Sequence, residues 1–404
     1  MISRTRLLAL AIAVLAPALL AQSDLDKFHQ SLLTIDSHVD TPLRLIRTDF
    51  DLHVRHDGRA SGGGRLDFPR MIEGGLDAVF FAAYVRQDDL TPAKRAAALE
   101  RVETLLRVSK RAAAESDLAE IALAADDAAR VADEGKVAVY LGVENGYAVG
   151  VDIENVKKLY DQGARYITLS HVENNDLCDA STDKAGPLHG GLSEFGERVV
   201  REMNRLGMIV DVSHVSDETV RDVLALSDAP LIASHSGCRA VHDHPRNLPD
   251  DLLREIAEHG GVLHICLFSG YLKEIEKNPK QEEEIRKLRE RYNNFEGLSD
   301  EDYKTAVAQW EAIHEQYPSE KATVEDLLDH VDHAVEVMGV DHVGIGSDFD
   351  GGGELADVYD VSQFPLVTEG LRERGYTDEE IAKIWGGNFF RVFREVERVA
   401  EASR

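Results

Sequence analysis

Apolar and polar positions alternate along this chain in a repeating way. In the stretch from Gly207 to Ser236, the β-branched run MIVDVSH stops at His214. SDETVRDVLAL follows, with Ser216 at an N-cap position, acids in the first turn, and Val220, Val223 and Leu224 at helical spacing. PLIASHS is then a second short apolar run, stopping at His235. The pattern predicts strand, helix, strand, and a parallel unit of that kind brings the carboxyl ends of both strands to one face.

The same alternation extends over the chain. Strands are predicted in LLTIDSHVDTP, at Leu76 to Val85, Val137 to Gly146, Ala164 to His171, the two runs above, Gly261 to Phe268 and HVGIGSDFDGG. Helical patterns separate most of them, among them one opened by Thr91-Pro92 and one read over Ala119 to Asp133. Eight strands alternating with helices predict an α/β fold, a (β/α)8 TIM barrel, whose chemistry sits at the carboxyl ends of the strands. Tyr271 to Ala322 breaks the rhythm with charge-dense helical stretches between polar turns. It reads as a helical insertion (270–322) after strand seven, either a lid or a solvated excursion.

The polar residues at the predicted strand ends are His38 and Asp40, Glu144, His171, His214, His235 and Asp348. Singly each has a bland explanation in a salt bridge, a cap or a loop. Together they fall at the ends of six strands, and clustering them is costly without a purpose. Imidazoles and carboxylates without thiolates suit Zn²⁺ or an ion of similar hardness. His38, Asp40, Glu144, His214 and His235 exceed the needs of one catalytic zinc. Two Zn²⁺ per chain, sharing Glu144 and a water or hydroxide as bridges, would use them all. Asp348 then reads as general base and later general acid, and His171 as the electrophile facing the oxyanion. Ser213 adjoins His214 directly and no Gly-x-Ser-x-Gly elbow occurs, so a Ser-His-Asp nucleophile fits poorly.

Composition narrows the partners. With 45 basic against 74 acidic residues the net charge is −29, which argues against nucleic acid or an anionic membrane held by a basic surface. Arg4 and Arg6 followed by the apolar stretch Leu7 to Ala21 predict a signal peptide (1–21) and export to a periplasm or the outside, with 22–404 as a single barrel domain. That stretch is short for a membrane span. Cys178, Cys238 and Cys266 are read as buried thiols, an odd number in a chain large enough to do without disulfides.

GLSEFGERVVREMNRLGMIVDVSH, PLIASHS, RNLPDD, GIGSDFDGG and WGGNFFRVF together resemble the membrane (renal-type) dipeptidases, zinc metallopeptidases on an amidohydrolase-like barrel. The resemblance runs from about Ile35 to Phe393. It implies one zinc held by His38, Asp40 and Glu144 and a second by Glu144, His214 and His235. It also implies His171 as the residue polarising the substrate, Asp348 as the catalytic acid–base, and Arg246 as the anchor for the substrate's C-terminal carboxylate. The implied substrates are dipeptides with a free C-terminal carboxylate, extending to a D-residue at that end, and the implied assembly is a homodimer. Two motifs depart from the family's: Asp-Gly-His-Asn-Asp is here Asp36-Ser37-His38-Val39-Asp40, and Glu-Gly-Gly-His is Glu144-Asn145-Gly146-Tyr147. The open alternatives are another amidohydrolase-type metal hydrolase (lactonase, deaminase or phosphotriesterase) and a non-catalytic metal- or peptide-binding protein.

Overall fold

A computed structural model describes Leu25 and residues 27–47, 50–60, 62–295 and 298–403. The expected signal peptide (1–21) lies outside them. Nine strands form among the described residues: β1 Ile35–Val39, β2 Ala78–Tyr84, β3 Ala119–Ile121, β4 Val137–Glu144, β5 Ala164–Thr168, β6 Ile209–Asp211, β7 Ile232–Ser236, β8 Val262–Cys266 and β9 Val343–Gly346. Eight follow one another as parallel neighbours in the order β1-β2-β4-β5-β6-β7-β8-β9. The ring closes between its ends, where the Asp348 N–H donates to the His38 carbonyl (3.0 Å) and the Asp40 N–H to the Phe349 carbonyl (2.8 Å). The (β/α)8 barrel read from the sequence is therefore present, and its closure lies at the candidate site.

β3 corrects one predicted element. Ala119 to Asp133 is not a single helix: residues 119–121 pair in parallel with β4, and the helix is Asp127–Asp133. The cause is local. The Asp127 carboxylate accepts the backbone N–H groups of Leu123 and Ala124 (both 2.9 Å), so the chain cannot enter helical bonding before that point. Helical propensity in an Ala-rich stretch loses here to a side-chain cap and to an available sheet edge.

The barrel's amino end is sealed by aromatic packing. Phe80 stacks on Tyr140 and Tyr166 (centroids 5.1 and 4.8 Å) and meets Phe389 at 5.3 Å, on the final helix Asn388–Ala402. Fully buried apolar side chains each stabilise by about 1.5–3 kcal/mol, so this end is a packed floor rather than an opening. The stretch after β8 carries the helices Pro279–Arg291 and Asp300–Gln316, packed antiparallel, with Gln281 bonded to the Tyr317 carbonyl (2.8 Å) and Arg291 to Gln309 (3.1 Å). The three cysteines are buried and unpaired. No helix of the described residues is long and apolar enough to cross a membrane.

Candidate active site

The strand ends deliver their side chains to one place. His38 lies on β1, Glu144 ends β4 and His235 lies on β7, while Asp40, His171, His214 and Asp348 occupy the turns just past β1, β5, β6 and β9. His214 and Asp348 hold left-handed backbone, φ +73° and +58°, which is uncommon for residues with a side chain. Neighbouring groups keep them there. The His214 carbonyl accepts the Ser181 N–H (2.8 Å), and the Asp348 carbonyl accepts those of Gly351, Gly352 and Gly353 (3.0, 3.1 and 2.8 Å).

Glu144 is at the middle of the cluster. Its Oε1 lies 3.2 Å from His214 Nε2 and 3.6 Å from both His235 Nε2 and His171 Nε2. Its Oε2 lies 3.5 Å from His38 Nε2, which is 3.8 Å from Asp40 Oδ2. One carboxylate oxygen thus faces His214 and His235, and the other faces His38 with Asp40 beyond. Donor atoms of His38, Asp40 and Asp348 also come within 4.8 Å of one another. The His214 and His235 Nε2 atoms are 2.8 Å apart, two imidazole nitrogens converging on one point.

This donor set fits divalent cations. His38 Nε2, Asp40 Oδ1 and Glu144 Oε2 are buried and have no hydrogen-bond partner among the described residues, a costly condition that a bound cation would relieve. Electrostatics agree. Burial, with the Asp40 carboxylate beside it, pushes Glu144 up to about 7 and holds Asp348 well above the usual carboxylate range. Burial opposes protonation of His38, but Glu144 and Asp40 together raise it well above an ordinary imidazole. Burial and the positive Arg246 keep His214 well below the ordinary range, burial and His38 do the same to His235, and burial and Arg246 take His171 down to about 3. Raised carboxyls beside three imidazoles kept neutral, with His38 the one imidazole drawn towards its charged form, make a site that added positive charge would suit.

A supporting layer sits beneath, and the sequence reading passed over it. The Tyr166 hydroxyl is 2.8 Å from His38 Nδ1. Ser234 Oγ is 2.8 Å from His235 Nδ1 and donates to Asp211 (2.6 Å), which also accepts the Thr168 hydroxyl (2.5 Å). Asp36 accepts the backbone N–H of Ser347 (2.8 Å) and of His38 (3.2 Å), tying β1 to the end of β9. The available signal was single polar residues inside otherwise apolar runs, at alternate positions that point inward.

Arg246 is brought to the edge of the cluster. It is buried, donates to the His235 carbonyl (2.9 Å), and its guanidinium lies 5.1 Å from the centre of the Tyr271 ring. His171 packs against Tyr84 (4.7 Å) and remains partly open to solvent. The motif departures leave the donors in place. Asn145 holds φ +85°, a conformation that Asn tolerates better than most residues. Its side chain bonds the Val85 carbonyl (3.1 Å) and the Tyr147 N–H (3.1 Å). Val39 is buried in the ring closure opposite Phe349, and Tyr147 is buried with its hydroxyl on the Asp89 carbonyl (2.8 Å).

The sequence profile of the membrane dipeptidases (peptidase family M19) matches residues 23–404. Dipeptidase tcpJ of Claviceps purpurea (strain 20.1) is 34% identical over 380 residues, spanning 91% of this chain and 78% of its own. Among solved structures, the probable dipeptidase PvdM of Pseudomonas aeruginosa superposes with a TM-score of 0.78 at 32% identity, covering 94% of this chain and 99% of that one. A metallopeptidase of Rhodobacter sphaeroides, liganded with a phosphinate mimic of the dipeptide L-Ala-D-Ala, superposes with a TM-score of 0.70 at 25% identity, covering 90% and 99%.

Proposed function

This chain belongs to the membrane dipeptidase family and is a metal-dependent dipeptidase, and from that premise we propose that it hydrolyses dipeptides with a free C-terminal carboxylate at a pair of zinc ions. The observation that carries the two-ion reading is Glu144, whose Oε1 faces His214 and His235 while Oε2 faces His38. His38, Asp40 and Glu144 would hold one ion, and Glu144, His214 and His235 the other. When bound, such a pair acidifies a water towards a pKa of about 7 and polarises the peptide carbonyl.

The chain's own residues supply the rest. Asp348 takes the proton from the attacking water and returns it to the departing amine nitrogen. His171, kept neutral by burial, donates a ring N–H to the oxygen that becomes negative. The Arg246 fork pairs with the substrate's terminal carboxylate and so sets a two-residue length. The phosphinate mimic held by the Rhodobacter sphaeroides metallopeptidase supports extending the substrates to a D-residue at the C-terminal end. Arg4, Arg6 and the apolar Leu7 to Ala21 support export to a periplasm or the outside.

The deciding experiment pairs metal content with hydrolysis of a panel of L-L and L-D dipeptides, on protein purified without chelator. About two zinc ions per chain with cleavage of the panel is the expected result. A single ion per chain at full activity would overturn the shared Glu144, and loaded protein that leaves every dipeptide intact would overturn the substrate reading.

A further inference from the structure

The insertion after β8 takes no part in the chemistry above, yet its second helix reaches the side of the site where Asp40 and Asp348 stand. Glu311, on helix Asp300–Gln316, accepts the Gly62 backbone N–H (2.9 Å) and faces Arg44 at 3.9 Å. Arg44 donates through Nε to Asp350 (2.9 Å). The Asp350 carboxylate, only 4% exposed, also takes the Thr41 hydroxyl (2.6 Å) and the Arg65 backbone N–H (3.0 Å). Its sequence neighbours are the site itself, since Thr41 directly follows Asp40 and Asp350 stands two residues after Asp348. A second run of charges closes the same seam, with Glu354 pairing both Arg65 and Lys321, where the insertion ends.

The seam has little slack. The turn after Asp348 passes so near both carboxylates that a Cβ on Gly351 would lie 2.1 Å from Asp40 Oδ2 and 2.2 Å from Asp348 Oδ1. Asp348 and Asp350 hold φ of +58° and +63°, conformations that persist only where surrounding contacts enforce them. A displacement of Asp350 is therefore transmitted to Asp348 across a single intervening residue. We infer that the helical insertion is a clasp on this turn, and that Asp350 is the positioning residue through which Arg44 and Glu311 set the placement of Asp348. The inference rests on the dipeptidase reading, in which Asp348 moves the proton.

The test is steady-state kinetics on a cleaved dipeptide for Glu311→Gln, Asp350→Asn and the double variant, with metal content and melting temperature measured on each. In Glu311→Gln, kcat falls about 3- to 10-fold while KM and metal content stay at wild-type values, and in Asp350→Asn it falls about 10- to 100-fold. The double variant is no slower than Asp350→Asn alone, because both residues act along one chain of contacts. Added salt slows the wild type more than Glu311→Gln, since the Arg44–Glu311 pair that the variant lacks is only partly buried. If Asp350→Asn fails to fold, Glu311→Gln and its salt response still decide. A wild-type kcat in Glu311→Gln, whatever its melting temperature, overturns the clasp. Loaded wild-type protein that cleaves no dipeptide removes the dipeptidase reading first and this inference with it.

Discussion

The Tyr166 hydroxyl stands 2.8 Å from Nδ1 of His38 and leaves Nε2 as the imidazole atom that faces Asp40 and Glu144. A ring nitrogen held in this way fixes the orientation of the ring and so of its other nitrogen. Room for the phenol comes from Gly142 on β4, where a Cβ would lie 2.2 Å from Tyr166 Cζ. His235 has a different support, Ser234 and behind it Asp211. The two halves of the site are thus oriented by separate groups.

That separation makes the first prediction. Tyr166→Phe is expected to weaken the ion held by His38 about 10- to 100-fold and leave the other untouched, and Ser234→Ala the reverse. Competition titration against a graded set of chelators resolves the two steps. Loss of both ions together in either variant would show that the halves are not independent.

The second prediction concerns pH in the metal-free protein. The fold raises Glu144 from 4.5 to about 7, through burial and then Asp40, so the protonated acid is the form it favours. Stability from this group is complete below about 4.5 and is lost as the pH rises towards 7, where the buried carboxylate ionises. His38, raised above its ordinary value by Glu144 and Asp40 against its burial, acts in the same direction. Cations reverse the trend, because they require both groups deprotonated, and loading therefore releases protons. The melting temperature of chelator-stripped protein should fall over this range relative to loaded protein. An identical pH profile for the two forms would contradict it.

How much of this was legible in the sequence differs by layer. The ring of strands and the donors at their ends could be read, because apolar runs alternate with helical period and a charged residue ending such a run stands out. His38, Asp40, Glu144, His171, His214, His235 and Asp348 do come together. Tyr166, Asp211 and Ser234 were not legible, since each is one polar position within a strand and finds its partner on another strand 20 to 130 residues away. Asp350 is harder still, because its partners come from Thr41, Arg44 and Arg65 across the barrel's closure. Arg246 lies in a polar loop whose spacing indicates nothing, and only the resemblance picked it out. β3 was lost because an Ala-rich stretch reads as helix until a cap such as Asp127 is given weight.

A third prediction addresses substrate length. Arg246→Lys keeps the charge but loses the planar fork, and the KM for dipeptides is expected to rise about 10- to 100-fold with a smaller change in kcat. The informative comparison is with dipeptide amides, which lack the carboxylate. Wild-type protein should reject them strongly, and Arg246→Lys should narrow that preference. An unchanged preference would move the anchor elsewhere.

The last prediction separates two roles open to Asp348. Its donor atoms lie within 4.8 Å of those of His38 and Asp40, close enough for it to hold an ion rather than move a proton. Asp348→Asn preserves shape and removes the titrating group. If Asp348 is the acid–base, kcat falls at least about 100-fold, KM is unchanged or lower, and both ions remain. Its left-handed backbone, which Asn tolerates, should leave folding intact. Metal analysis beside the kinetics decides. Loss of the ion at His38 and Asp40 in this variant would make Asp348 a ligand, and the proton would then have to be carried by another group in the cluster, His171 being a neutral imidazole beside Glu144 that holds neither ion and is still partly open to solvent.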